Sequence, residues 1–293
     1  MKIKHSFGDR AFDVINIVLM VLLVIVTLYP VYYVLVASFT GHTALLQSPG
    51  FLLFPRDFTV GAYIMALRHP LLLSGYRNTL IILAVSLPIS ITLTLFCGYF
   101  MSCKGMLFRT PIIIYILFTM WFSAGMIPVY LNIQSLGMLN SLWALILPHS
   151  LSVFNAIICK TAIDAIPPSM SESAYIDGAN DLVIVFRIIV PLIMPTIAVL
   201  LLFYGVGTWN AWFWATIFIR DNDLLPVQNL LRAILIEAQQ LLQSAGGEGD
   251  RTDQYAETIQ FAAIVITTAP VLFIYPFLQK YFVKGVMVGA VKG

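Results

Sequence analysis

Long, almost uncharged apolar stretches alternate with polar segments along the whole chain. Six of these stretches have or approach the ~20 residues that a helix needs to cross a hydrocarbon core about 30 Å thick. They are too long for barrel strands of about 10 residues, and they do not alternate apolar and polar positions. The pattern therefore predicts an all-α membrane protein with six transmembrane helices. The predicted spans are Val14–Val36, Thr79–Met101, Pro111–Tyr130, Trp143–Cys159, Pro191–Trp214 and Phe261–Phe282.

The composition supports the same class of protein. Of 293 residues, 60% are hydrophobic and 10% are charged, whereas a soluble domain has about 25% charged residues. The net charge of +2 comes without a basic run, so nothing favours nucleic-acid binding. Three cysteines, Cys97, Cys103 and Cys159, lie in or beside apolar stretches. Their spacing fits neither a metal site nor a disulfide framework, so we interpret them as small packing residues.

The basic residues indicate how the spans are oriented. Six spans place both termini on the same side of the membrane. The segments on that side hold ten Lys and Arg residues and the opposite segments hold six. Because short cytoplasmic loops carry the excess of positive charge, we expect both termini to be cytoplasmic. This makes the chain a multi-pass protein of a cell membrane.

The whole chain, residues 1–293, is predicted to be a single transmembrane domain with a core at about 75–282. Residues 160–190 form a cytoplasmic loop, 215–260 an external loop and 283–293 a cytoplasmic tail. Within the external loop, apolar residues recur at helical spacing from Leu230 to Leu242, which predicts an amphipathic helix at the membrane surface. The glycine-rich acidic patch at 246–250 is typical of a mobile tip.

The loop at 160–190 carries the most specific local pattern. Pro167 and Pro168 end the preceding element, and Ser169 followed by Glu172 predicts a capping box. A short helix from Met170 to Asp177 is expected, with Gly178 in the left-handed conformation that ends many helices. These features predict a helix-turn-helix on the cytoplasmic surface.

The same residues resemble the EAA loop of bacterial ABC importer permeases, whose pattern is E-A-A-x3-G-x9-I-x-L-P. Here the sequence runs Glu172-Ser173-Ala174, Gly178 and Ile188-Ile189-Val190-Pro191, with every spacing kept. Ser173 and Val190 depart from the pattern. The resemblance implies a six-helix MetI-like permease whose coupling helix sits in a cleft of a separate ATPase. Its implied coupling residues are Glu172, Ser173, Ala174, Asp177, Gly178, Ala179 and Pro191.

Further segments resemble the carbohydrate-uptake branch of these permeases, which includes the maltose importer. They are Gly8-Asp9-Arg10, Leu28-Tyr29-Pro30, Ser38-Phe39, Trp209-Asn210 and Gly285–Gly293. This resemblance implies import of an oligosaccharide across a bacterial cell membrane. The implied partners are a second, non-identical permease, an ATPase dimer of a kind that can be shared among sugar importers, and an extracytoplasmic sugar-binding lipoprotein. It also implies that the tail reaches the ATPase interface through Val288, Gly289, Lys292 and Gly293.

The chain has no G-x-x-x-x-G-K-[ST] loop to hold nucleotide phosphates. We therefore expect no bound cofactor and no enzymatic activity of its own, with ATP and Mg²⁺ held by the ATPase subunits. An intramembrane enzyme is disfavoured, because His149 is the one histidine inside a predicted span. A secondary carrier would need ionisable groups near the midplane and two related halves, and neither is found. A permease for a solute other than a sugar stays an alternative.

Candidate substrate contacts lie at the outer end of the fifth predicted span. Sugars bind to aromatic faces and to amide or hydroxyl groups, which points to Tyr204, Trp209 and Asn210, and His149 is a further candidate. The alternative is an aromatic belt at the membrane interface. That alternative is favoured for Trp212 and Trp214 and is equally weighted for Trp209 and Asn210.

Overall fold

The computed structural model describes residues 7–47, 50–244 and 256–290, and these residues form helices and no strands. They divide into two compact units, one drawn from Met1–His69 and Leu231–Thr268 and the other from Pro70–Leu230 and Ala269–Gly293. The first unit contains helices α1 (Phe7–Ser38), α2 (His42–Leu46) and α3 (Gly61–Leu67).

The second unit holds most of the remaining helices. They are α4 (Leu72–Ser102), α5 (Arg109–Trp121), α6 (Met126–Ser135), α7 (Trp143–Ile146), α8 (Val153–Asp164), α9 (Pro168–Ile176), α10 (Asp181–Val183), α11 (Val190–Leu192), α12 (Met194–Asn210) and α13 (Phe213–Phe218). A π-helical stretch, Ile184–Ile189, joins α10 to α11, and a 3-10 turn covers Asn222–Leu224. Two further helices, α14 (Val227–Ser244) and α15 (Ala256–Ala290), contribute residues to both units.

The number of continuous spans is smaller than the sequence predicts. Among the described residues, only α1 and α4 are both long and apolar enough to cross a membrane alone, and up to four spans result if two bent helix pairs are counted. The predicted sixth span falls inside α15, whose described apolar part is Thr258–Ile274. An all-helical membrane fold is therefore confirmed, but six uninterrupted spans are not.

Two of the predicted spans are broken in their middle. The third is split into α5 and α6, which meet at 112°, and Gly125 at the break has φ +86°, a value that suits glycine. The fourth is split into α7 and α8 around Pro148, and Ser152 caps the new helix by accepting the Asn155 N–H. Proline has no N–H to donate to a helical hydrogen bond. The apolar run from Trp143 to Cys159 therefore forms two helices instead of one.

The fifth predicted span begins at a corner. The segment Asp181–Leu192 and helix α12 meet at 87°. Pro195 occupies the first turn of α12, where its missing N–H costs nothing. The transmembrane part of this span is therefore α12, and the residues before Ile193 belong to the loop that carries the coupling motif.

The core of the second unit lies where α4 and α8 cross. Its buried side chains include Leu95, Cys159 and Ile163. A Cβ on Gly98 would lie 2.9 Å from Cys159 Sγ and 3.1 Å from the Lys160 backbone nitrogen. Glycine therefore allows the two helices to approach this closely, and Cys159 is the packing residue that the sequence indicates.

The predicted amphipathic helix forms as α14, but its apolar face is not free. Leu230, Ile234 and Ala238 are buried inside the protein, while Ile236 and Glu237 on other faces are exposed. The apolar face of α14 therefore packs against the protein, and the position of this helix at the membrane surface stays a prediction. The glycine-rich patch at 246–250 lies outside the described residues.

Candidate functional site

The short helix predicted in the loop at 160–190 begins differently from the sequence prediction. Helix α9 starts at Pro168, with Pro167 as its N-cap, and no side chain caps it. The predicted capping box of Ser169 and Glu172 is therefore wrong. Proline at the first helical position lacks the N–H that would need a partner and already has a helical φ, so this end needs no side-chain acceptor. Glu172 is exposed instead.

The end of α9 has the predicted left-handed glycine. Gly178 has φ +83°, its N–H donates to the Tyr175 carbonyl at 3.0 Å, and the Ala179 N–H donates to the Ala174 carbonyl at 2.9 Å. This pair of bonds is a Schellman motif. Nothing lies within 4 Å of a Cβ built on Gly178, so the requirement for glycine here is set by φ and not by space.

A second capped helix follows at once. Asn180 Oδ1 accepts the Val183 N–H at 2.9 Å and caps α10. The π-helical stretch then carries the chain to Pro191, which has no N–H to continue an α-helical ladder. Two helices separated by a tight turn confirm the predicted helix-turn-helix.

The two sides of α9 have different surroundings. Ala174 is 9% exposed and belongs to the buried cluster of Ile184 and Val185. The resemblance includes Ala174 among the coupling residues, but its side chain faces the core of its own chain. The exposed surface of α9 consists of Ser169, Met170, Glu172, Ser173, Tyr175 and Ile176, with Ile176 87% exposed. The sequence analysis missed Met170 and Ile176, although an apolar residue on a short polar loop is a visible signal.

A hydrogen-bonded triad fastens the loop to a membrane helix. Tyr99, one turn before the end of α4, donates to Asp181 Oδ1 at 2.7 Å, and Tyr175 of α9 donates to the same oxygen at 2.5 Å. The two phenol oxygens are 3.0 Å apart. The hydrogen bonds from Tyr175 and then Tyr99 lower the pKa of Asp181, because both donors favour the ionised form. None of these three residues was singled out by the sequence.

Helix α4 is anchored at its opposite end as well. Asn78 Nδ2 donates to the carbonyls of Asp223 and Leu225 at 2.7 and 3.2 Å, and Thr79 Oγ1 accepts the Val227 N–H at 3.0 Å. Asn78 and Tyr99 are 21 positions apart (99 − 78), which is about 32 Å of helix. That length matches the thickness of a hydrocarbon core, ~30 Å, so the two anchored ends of α4 are about one membrane thickness apart.

The candidate substrate residues are not equally accessible. Tyr204 is 7% exposed, and its hydroxyl lies 2.7 Å from Thr94 Oγ1 and accepts the Ser152 N–H at 2.9 Å. Trp209 is 5% exposed and lies against Tyr76, with 6.2 Å between ring centroids. These two residues are internal supports for α12 in this conformation.

Asn210 and His149 are exposed and remain available to a solute. The His149 ring lies 5.6 Å from the ring of Trp214. Trp214 in turn stacks on Phe218, within the cluster of Ile133 and Ala144. The candidate path residues therefore divide into two buried supports and two accessible polar side chains.

The C-terminal coupling residues are only partly described. Val288 and Gly289 lie in the backbone of α15, while Lys292 and Gly293 lie outside the described residues. No group of His, Cys, Asp or Glu side chains suited to a metal ion is found within 7–47, 50–244 and 256–290.

Residues 58–288 match the family described as "Binding-protein-dependent transport system inner membrane component". The chain is similar to the polygalacturonan/rhamnogalacturonan transport system permease protein YtcP of Bacillus subtilis, with 36% identity over 97% of this chain and 99% of the relative. It is also similar to Protein LplC of the same organism, with 37% identity over 99% of this chain and 97% of the relative.

Among solved structures, a bacterial ABC transporter involved in the import of the acidic polysaccharide alginate has a TM-score of 0.84 and 30% identity, and the match covers 96% of this chain and 100% of that chain. The match of the family covers most of the sequence, including the loop built around Gly178. The chain therefore belongs to the binding-protein-dependent transport system inner membrane components and is a permease subunit of an ABC importer.

Proposed function

We propose that this permease forms half of a membrane pathway for an oligosaccharide and is driven by a separate ATPase through helix α9. The observation that carries the coupling role is the form of α9, a short helix with one buried side chain, Ala174, one half-buried side chain, Ser171, and otherwise exposed side chains. A rigid element of this kind can pass a rotation of one subunit to another.

The contact surface for the ATPase combines exposed polar and apolar side chains. Glu172, Ser173 and Asp177 supply polar groups, and Met170 and Ile176 supply apolar area. Gly178 and Ala179 keep the turn after α9 short through their backbone hydrogen bonds. Pro191 and the C-terminal residues Val288, Gly289, Lys292 and Gly293 complete the proposed coupling set.

The oligosaccharide is supported by similarity to permeases of polygalacturonan/rhamnogalacturonan and alginate import. We propose that Asn210 and His149 contact the solute, because amide and imidazole groups hydrogen-bond to sugar hydroxyls and both side chains are exposed. Tyr204 and Trp209 act from behind by supporting α12.

The proposed assembly contains a second, non-identical permease, an ATPase dimer that holds ATP and Mg²⁺, and an extracytoplasmic sugar-binding lipoprotein. The chain itself binds no cofactor, performs no chemistry and spans a bacterial plasma membrane with both termini in the cytoplasm. The placement of α9 and residues 223–227 at opposite ends of α4 agrees with this orientation.

Site-directed crosslinking tests the coupling role. In a background with Cys103 replaced by Ser, Ile176→Cys should crosslink to the ATPase in membranes. Leu73→Cys, an equally exposed position at the other end of α4, should not. A crosslink from Leu73→Cys, or none from Ile176→Cys in an assembled complex, would overturn the assignment.

Uptake by the assembled complex in proteoliposomes tests the solute and the energy source. Oligogalacturonides, alginate oligosaccharides and maltodextrins should be compared, with an amino acid as the non-sugar arm. Uptake of an oligosaccharide that needs ATP and the receptor is expected. Uptake driven by an ion gradient without ATP would identify a secondary carrier instead, and selective uptake of the amino acid would reject the sugar.

A further inference from the structure

We propose that Tyr99, Tyr175 and Asp181 form a latch that makes the coupling helix move together with the membrane helix α4. The latch rests on the proposed coupling role of α9. Its members come from three separate elements, the cytoplasmic end of α4, the last turn of α9 and the first turn of α10. These are positioning residues, since they hold the coupling helix without contacting the solute.

The geometry singles out Asp181 as the centre of the latch. One carboxylate oxygen, Oδ1, accepts hydrogen bonds from both phenol hydroxyls. It lies 2.7 Å from the Tyr99 oxygen and 2.5 Å from the Tyr175 oxygen. Hydrogen bonds to an ionised acceptor are shorter and about twice as strong as neutral ones. The lowered pKa of Asp181 keeps this acceptor ionised at neutral pH.

Helix α9 needs such a connection because it has few others. Among its nine residues, Ala174 alone is buried, and an alanine offers little area with which to resist sliding or rotation. The turn at Gly178 is held by two backbone hydrogen bonds. The two phenols add a side-chain connection from α9 to a helix that crosses the membrane.

The latch sits where force has to pass. Tyr175 is adjacent in sequence to Ile176, the most exposed apolar side chain of α9, so the latch is attached one residue from the proposed ATPase contact. Tyr99 lies on the membrane side of the same carboxylate. A displacement of α9 by the ATPase is therefore carried to α4 through Asp181, in addition to the covalent path through α10 and the π-helical stretch.

The test compares latch variants with matched controls in the full reconstituted complex. The latch variants are Tyr99→Phe, Tyr175→Phe and Asp181→Asn. Tyr115→Phe removes an exposed hydroxyl elsewhere in the chain, and Asp164→Asn removes a carboxylate from the exposed Lys160–Asp164 pair of the same cytoplasmic region. Solute uptake, ATP hydrolysis with and without the receptor, and the amount of assembled complex are measured for each.

In the latch variants, we expect assembly and basal ATP hydrolysis to persist while the solute imported per ATP falls about threefold or more. The two controls should keep the wild-type ratio. An unchanged ratio in all three latch variants would overturn the latch, and so would a parallel loss of assembly, uptake and hydrolysis, which is the signature of a purely structural role. Neither outcome affects the Ile176→Cys crosslink, so failure of the latch and failure of the coupling role remain distinguishable.

Discussion

The hydroxyl of Tyr204 lies 2.7 Å from Thr94 Oγ1 and also accepts the backbone N–H of Ser152. One phenol thus joins the middle of α4, the cap of α8 and helix α12. Both of these hydrogen bonds are made inside the protein, which separates Tyr204 from the residues proposed to contact the solute.

Replacing Tyr204 with phenylalanine should destabilise the protein without altering which solute is imported. The change leaves the Ser152 N–H and the buried Thr94 hydroxyl without their partner, at a cost of about 1–3 kcal/mol. Thermal unfolding of the purified complex measures this loss, with Tyr115→Phe as the control. A changed solute preference in a fully stable Tyr204→Phe complex would show that Tyr204 contacts the solute.

Substitutions at Gly178 should separate the cost of the left-handed backbone conformation from the effect of side-chain size. Alanine adds one methyl group in open space, so its effect is the ~1–2 kcal/mol cost of the left-handed conformation. Asparagine, which adopts that conformation more readily, should be milder. Tryptophan should abolish uptake while the protein still reaches the membrane, because it adds a large side chain beside α9. Full uptake by Gly178→Trp would contradict a tight coupling turn.

The exposed carboxylate of Glu172 gives a complementary prediction. Since no side chain caps α9, Glu172→Ala should leave stability within about 0.5 kcal/mol of wild type. A fall in receptor-stimulated ATP hydrolysis would then report a contact with the ATPase. A wild-type rate of ATP hydrolysis in this variant would show that Glu172 does not contact the ATPase. A large loss of stability would indicate that Glu172 caps α9 after all.

The crossing of α4 and α8 should not tolerate a side chain at Gly98. A methyl group there would lie 2.9 Å from Cys159 Sγ, and such overpacking costs about 1–3 kcal/mol. Gly98→Ala combined with Cys159→Ala should be less destabilised than the sum of the two single changes, because the smaller side chain removes the sulfur contact. Strict additivity in thermal unfolding would show that the two positions do not share this contact.

Asn140 should stabilise the turn that follows α13. It has φ +56°, and its Oδ1 accepts the N–H groups of Arg220 and Asp221 at 3.0 and 2.9 Å. Asn140→Gly keeps the conformation and loses both bonds, for about 0.5–1.5 kcal/mol each, while Asn140→Asp retains an acceptor. Proteolysis at 219–223 should therefore be faster in the glycine variant than in the aspartate variant, and equal rates would contradict this role.

Local backbone chemistry made the coupling loop predictable. A glycine separated by nine residues from Ile188 and directly after Asp177 is typical of a helix end, and Gly178 has the expected φ. The start of α9 was missed because two prolines made a side-chain cap unnecessary. The motif shows that residue 174 is small, but not which way its side chain faces. A small residue suits close packing on either side of a helix, and here Ala174 packs into its own chain.

Hydropathy predicted which segments are apolar and helical, but it did not predict where one helix ends and the next begins. The mean hydropathy of a window cannot distinguish a continuous helix from two helices that meet at a corner, as at Gly125 and Ile193. The latch was invisible for another reason. Tyr99 and Asp181 are 82 positions apart, and only the folded chain brings the end of α4 to the loop.

The two anchors of α4 give this helix a defined bending point. Pro88 lies inside α4, ten positions after Asn78 and eleven before Tyr99 (88 − 78 and 99 − 88). It leaves the carbonyl of Ala84 without its usual helical donor, close to the midplane of the bilayer. Flexing at that point would tilt the inner half of the helix against the outer half while both anchors stay intact. Bending at Pro88 would therefore move two helix segments of nearly equal length relative to each other.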